Sequence, residues 1–206
     1  MVLVHVSKGG TFSNNTVYFL SNADIWALTV LNSPVGWWFA WRKAQHGKDE
    51  ALRYFTAFME EFPIPKPTDE PRRAVEKGVG QLIEITKAQQ AATHELLDWL
   101  RMEHEVAKPS LRLQAPADLS ADEFVAEVQK ARGKKKSLTA AALKSLRDEY
   151  DRLIVPMQTR ATEALDLERD LSALVNAAYG LTPVEEKLLW QTAPPRMPIP
   201  GAPPVG

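Results

Sequence analysis

Cysteine is absent from the 206 residues. That excludes a disulfide framework, thiolate zinc sites, iron–sulfur clusters and any cysteine nucleophile. Histidine is scarce, with only His5, His46, His94 and His104. His94 and His104 fall on one predicted helix, about 15 Å apart along its axis, which is too far to share one metal ion. No apolar run approaches the roughly 18 residues a membrane-spanning helix needs. Met1-Val2-Leu3-Val4 lacks the basic start and long apolar stretch of a signal peptide. A charge excess is missing as well: 25 Lys and Arg face 26 Asp and Glu. Nucleic-acid-binding domains usually show a basic excess, although a local basic stripe is enough. The default reading is a soluble, cytoplasmic protein.

The usual chemical signatures are also missing. There is no Gly-x-Gly-x-x-Gly, no Walker loop, no Gly-x-Ser-x-Gly and no His-Glu-x-x-His. Carboxylate pairs are frequent (Glu60-Glu61, Glu103 and Glu105, Asp148-Glu149, Glu185-Glu186), but at helical positions they read as a solvated face. No convergent partner marks any of them as catalytic. The chain taken alone does not read as an enzyme.

What is present is mostly helical. A chain of this length can bury about 70% of its unfolded surface, so a core needs no covalent staples. Residues 1–22 are strand-like: Val2, Val4 and Val6 alternate with Leu3 and His5, and Val17-Tyr18-Phe19-Leu20 follows turn-forming Gly9-Gly10 and Ser13-Asn14-Asn15. Ser21 or Asn22 is placed to cap a helix from Ala23 to Leu31. Ser33-Pro34 reads as a cap with proline at the first helical position, opening a helix that carries Trp37, Trp38 and Trp41 and stops at Gly47. Phe55, Phe58, Met59 and Phe62 follow at spacings of three and four, then an extended Pro63-Ile64-Pro65-Lys66-Pro67.

Residues 68–106 read as one long helix, with Val75, Val79, Leu82, Leu96, Leu97 and Leu100 on helical spacing and Gly78 and Gly80 weakening its start. Ser120-Ala121-Asp122-Glu123 and Thr182-Pro183-Val184-Glu185 are capping boxes. Pro156 breaks or kinks the helix begun at Ser137 or Thr139, and Gly180 suits a helix C-terminus. The amphipathic runs near 71–106 and 140–179 are expected to pack antiparallel. Six of the 15 prolines fall in the last 13 residues, which read as a tail.

Two basic clusters stand out. Arg42, Lys43, His46, Lys48 and Arg53 follow the three tryptophans. They form either a basic-aromatic surface for phosphates or a solvated helix end favoured by the helix dipole. The tryptophans are either a core seam with one exposed ring or a stacking platform. Lys134, Lys135 and Lys136 lie in a predicted loop, open to the same two readings. Arg72 and Arg73 read as solubility charges.

An ordered series of short motifs adds to this. Asn15-Thr16-Val17-Tyr18-Phe19-Leu20, Leu28 through Asn32-Ser33, Trp37-Trp38-Phe39, Tyr54-Phe55 and Phe62-Pro63-Ile64-Pro65 together resemble the C-terminal specificity region of TaqI-like adenine DNA methyltransferases. The specificity subunits of type I restriction systems show a similar Pro-Ile-Pro exit. The second half resembles the far C-terminus of large type II restriction–modification methylases. It does so through Trp99-Leu100 to Lys108-Pro109-Ser110, Leu143 to Tyr150, Val175 to Pro183 and Thr192 to Pro198. Such enzymes bind S-adenosylmethionine through a Gly-rich loop and flip an adenine into a pocket edged by an Asn-Pro-Pro-Tyr-type motif. Neither motif is found in this chain, and Asn32-Ser33-Pro34-Val35 matches the specificity region instead.

The resemblance implies a chain that corresponds to the trailing part of such an enzyme. Its parts would be a partial specificity domain at 1–67, a helical spacer at 68–193 and a proline-rich tail at 194–206. The expected fold is mainly α, with a small α/β N-terminal part and long antiparallel helices after it. The implied role is target recognition on double-stranded DNA beside a methyltransferase catalytic domain or subunit. Arg42, Lys43, Lys48, Arg53 and Lys134 to Lys136 are the candidate contacts. No cofactor is assigned to this chain, S-adenosylmethionine belonging to the parent methylase, and no membrane is implied. The alternative is a non-catalytic helical module docking onto a methylase or nuclease subunit.

Overall fold

The computed structural model describes residues 24–133 and 137–199, and these are mainly α-helical with one very small sheet. The strands expected at Val2–Val6 and Val17–Leu20 lie outside the described residues, as do Lys134, Lys135 and Lys136. The described residues form two compact units, one N-terminal to residue 81 together with those from 167 onward, the other within 81–166. Among the described residues no helix is long and apolar enough to cross a membrane.

The first unit opens with α1 (Ile25–Asn32) and α2 (Pro34–Lys43). Asp24 rather than Asn22 caps α1, its carboxylate accepting from the Ala27 amide at 2.9 Å. Ser33 caps α2 as its sequence suggests, accepting from Gly36 N while Pro34 supplies a first turn with no amide to satisfy. The reversal between the two helices is tight: a Cβ on Gly36 would lie 2.2 Å from the Val30 carbonyl oxygen.

α2 ends at Lys43, not at Gly47. The chain leaves the helix because β1 (Gln45–His46) pairs antiparallel with β2 (Leu52–Arg53), Gln45 opposite Arg53. The Gly47 amide closes this hairpin on the Ala51 carbonyl at 2.6 Å. A short α3 (Thr56–Glu60) brings Phe58 and Phe62 against Phe39, with ring centroids 6.1 and 5.1 Å away.

Next come the long helices α4 (Asp69–His104) and α8 (Val155–Tyr179), each contributing to both units. Within the first unit Gly78 is more than a weak point in α4. A Cβ there would meet Leu171 Cδ2 at 3.0 Å, so the missing side chain lets Leu171 lie against the helix backbone. Tyr179 ends α8, and Gly180 follows at φ +68°. Gly180 N donates to Ala177 O and Leu181 N to Asn176 O, the paired bonds of a Schellman motif. α9 (Pro183–Gln191) starts from the Thr182–Glu185 capping box.

The second unit contains α5 (Leu111–Gln114), α6 (Ala121–Ala131) and α7 (Ala140–Glu149) beside its share of α4 and α8. One apolar cluster holds it: Leu96, Leu100, Leu113, Phe124, Val128, Leu146 and Ile154 are all fully buried. α4 runs antiparallel to the returning chain here. Gln89 Nε2 donates to Met157 O at 2.8 Å, and further along α4 Glu95 meets Arg152. The helix break expected at Pro156 takes the form of a π-turn over Tyr150–Ile154, with Val155 N bonding Tyr150 O. Proline lacks an amide and its ring presses on the carbonyl four residues earlier. The wider turn absorbs both effects, and the helical path continues.

Candidate nucleic-acid interface

Four of the candidate contacts are brought onto one short piece of the first unit. Arg42 and Lys43 occupy the last turn of α2, where the negative end of the helix dipole favours cations. Lys48 begins the hairpin turn, which passes through Asp49 at φ +56°. Arg53 lies on β2 one residue after buried Leu52, so alternation turns it to the opposite face of the ribbon. Lys43, Lys48 and Arg53 are exposed, and among the described residues none of them forms an ion pair. His46 remains exposed, with Nε2 2.7 Å from Trp41 O and its ring edge-on to Trp41 at 4.8 Å.

Arg42 is different. Its guanidinium carbon sits 3.7 Å from the centroid of the Trp38 ring, and Nη2 donates to Thr192 O at 3.2 Å. The tryptophans divide accordingly. Trp37 is 6% exposed and belongs to the core, donating from Nε1 to Pro195 O at 3.0 Å. Trp38 donates from Nε1 to Thr192 Oγ1 at 2.9 Å beneath Arg42. Trp41 is half-buried, 6.1 Å from Trp37. The described end of the proline-rich region is therefore packed on α2, with Pro194 and Ile199 buried.

The motifs quoted from the aromatic segment have definite structural work. Ser33 of the Leu-Asn-Ser stretch makes the cap between α1 and α2. The Pro63-Ile64-Pro65 exit is held by its carbonyls: Tyr179 Oη donates to Pro63 O and Trp26 Nε1 to Pro65 O, the latter at 2.7 Å. Burial pushes the Tyr179 phenol up to about 12, so it stays a donor throughout the ordinary pH range. Arg72 pairs with Asp24 at 2.8 Å rather than serving only as a surface charge.

The second unit holds polar groups that sequence reading passed over. Glu127 is 7% exposed and accepts from Ser110 Oγ at 2.7 Å, with Arg112 and Lys130 within 4 Å. The serine hydrogen bond, more than either cation, holds its carboxyl below the usual range. His104 is 5% exposed, its ring 4.6 Å from Trp99 and its Nε2 without a partner among the described residues. Burial lowers its pKa, and Arg132 lowers it further against a weaker pull from Glu103. An open groove of about 470 Å³ is lined by Ile85, Gln89, Thr93, His94, Leu97 and Gln114 among others. No group of His, Asp and Glu suited to a metal ion forms among the described residues. His94 pairs with Asp98, far from the buried His104.

Residues 68–175, just over half of the chain, match the family described as a domain of unknown function, DUF8810. The chain belongs to that family. The match begins at the sequence boundary where the proline-rich stretch gives way to α4, and it covers all of the second unit. The four mapped cations lie N-terminal to the matched residues, so DUF8810 covers the helical framework and not the basic hairpin. No curated protein and no solved structure matches the chain.

Proposed function

We propose that this chain is a DNA target-recognition module of a restriction–modification adenine methyltransferase. On this reading it positions duplex DNA for a catalytic domain or subunit that binds S-adenosylmethionine and flips the target adenine. The observation that carries it is the stretch 42–53. There a helix C-terminus carries Arg42 and Lys43 and the hairpin after it carries Lys48 and Arg53, three of the four outside any ion pair among the described residues. This stretch sits among the aromatic motifs that resemble a methylase specificity region. Phosphates need mobile or forked cations in a fixed frame, and a two-stranded ribbon on a helix end supplies one.

Salt titration of duplex binding tests it. Each phosphate contact adds about −0.9 to the slope of log affinity against log salt, so four contacts give about −3 to −4. Changing Lys43, Lys48 and Arg53 together to Ala is expected to flatten the slope by about three. A wild-type slope near zero would remove the proposal.

A second reading has its own observation. Met102, Leu111 and Val184 are large apolar side chains 68, 83 and 77% exposed. With the near-zero net charge, they suit a helical module that docks onto a methylase or nuclease subunit. Weak, salt-insensitive DNA binding would favour this reading.

A further inference from the structure

The C-terminal segment Thr192–Ile199 engages one of the proposed contacts, Arg42, and the tryptophan beneath it. Thr192 takes both at once: its Oγ1 accepts from Trp38 Nε1 at 2.9 Å and its carbonyl from Arg42 Nη2 at 3.2 Å. Three residues on, the Pro195 carbonyl takes the indole N–H of Trp37. Arg42 is fixed from the other side too, lying flat on Trp38 and donating to Trp38 O at 3.4 Å. Arg42 itself covers the Trp38 ring face, and with the segment in place its guanidinium, though exposed, donates to the Trp38 and Thr192 carbonyls.

The segment is also held against its own preferences. Arg196 has φ +60° and Ile199 has φ +59°. Left-handed backbone is uncommon for any residue other than glycine, and for a β-branched isoleucine it is a true outlier. Burial of Pro194 and Ile199 and the three indole and guanidinium hydrogen bonds keep it there. A segment under backbone strain, held by a few directional contacts, is suited to having two positions, since release recovers the strain.

We propose that Thr192–Ile199 is an autoinhibitory strap that holds Trp38 and Arg42 by their hydrogen-bond donors, and that duplex DNA competes with it for them. When the strap lifts, Arg42 turns to a phosphate and the Trp38 ring is bared for contact with the nucleic acid. This rests on the target-recognition reading above and names how that site is regulated.

The test uses the full chain carrying Pro194→Ser and Ile199→Ser, which removes both buried holds on the strap and leaves α2 and the hairpin untouched. Tryptophan emission reports the strap, and duplex affinity against salt reports the site. The expected result is a red shift as Trp37 and Trp38 meet water, with duplex affinity several-fold tighter at an unchanged salt slope, because the bound chain makes the same phosphate contacts once the strap has lifted. Adding Arg42→Ala to the doubly substituted chain is expected to abolish the gain. A red shift with unchanged or weaker affinity overturns the strap while the target-recognition reading stands on the wild-type slope. No red shift means the segment is not held by these residues, which also overturns it. If neither wild-type nor variant chain binds duplex at low salt, the target-recognition reading fails and the strap fails with it.

Discussion

The two units of this protein hold themselves together by different means. The second unit has one continuous apolar cluster, from Ala92 and Leu96 on α4 through Phe124 and Val128 on α6 to Ile154 and Met157. The first has aromatic donors reaching carbonyls far along the chain: Trp26 to Pro65, Trp37 to Pro195, Tyr179 to Pro63. Apolar contacts are many and individually small, so a cluster tolerates rearrangement at its edges. A single directional bond is either made or lost. A proline-rich segment offers no amide to a ladder, and an indole N–H on its carbonyl fixes its position with one contact. The candidate interface and the strap both belong to the unit built in this second way.

The largest effect that separates the units is expected in the cluster. Phe124→Ala should cost about 3–5 kcal/mol, because a fully buried ring leaves a cavity that rigid helices fill poorly. Urea unfolding measures it, and a loss under 1 kcal/mol would mean the second unit is not held by this core. Trp26→Phe keeps most of the apolar bulk but strips the donor from Pro65. A loss of about 1–2 kcal/mol is expected, with hydrogen exchange accelerating first around residues 63–66. Uniform acceleration throughout the first unit would deny that the contact acts on one segment.

Caps come next. Ser120→Ala in the second unit and Thr182→Ala in the first each remove a complete capping box and should cost about 1 kcal/mol. Equal costs would show that local helix chemistry is the same in both units. Gly80→Ala is expected to stabilise by about 0.5–1 kcal/mol, since nothing among the described residues lies within 4 Å of the added methyl. Gly78→Ala should give less or reverse the sign, because Leu171 must move.

The smallest effect depends on pH and arises in the second unit. His104 is held neutral in the fold, below its ordinary 6.5. Above that value both folded and unfolded chains carry a neutral ring, and the full stability is present. As pH falls below it the unfolded chain takes up the proton first, so stability declines. Urea midpoints at pH near 8 and 5.5 should differ in that direction, and His104→Gln should shrink the difference. An unchanged difference would assign it to other groups.

How much of this was legible in the sequence follows from how local each feature is. Both capping boxes, the Ser33-Pro34 start and the Gly180 stop are set by residues within a turn of one another, and each is present where the spacing puts it. The long amphipathic helices and the mainly helical class follow from periodicity alone. The end of α2 did not, because the hairpin depends on Leu52 and Arg53 pairing back onto a sequence that reads as helix. The sequence marks Arg42, Lys43, Lys48 and Arg53 as candidate contacts, and the fold puts the first two on a helix end and the other two in the hairpin after it. It gave no warning that Thr192, about 150 positions away from Arg42, would hold that side chain. Glu127 was hidden at a shorter range, since its partners Ser110, 17 positions earlier, and Arg112 lie outside its own helix.

Hydrogen–deuterium exchange of the full chain with and without a duplex of about 20 base pairs tests the central claim most directly, because it reads function and the comparison between units together. The expected result is slowed exchange across 42–53, with faster exchange over 192–199 as the strap gives way and no change in the core stretches 92–100 and 146–157. Slowing confined to those core helices, or no change anywhere at low salt, would contradict it.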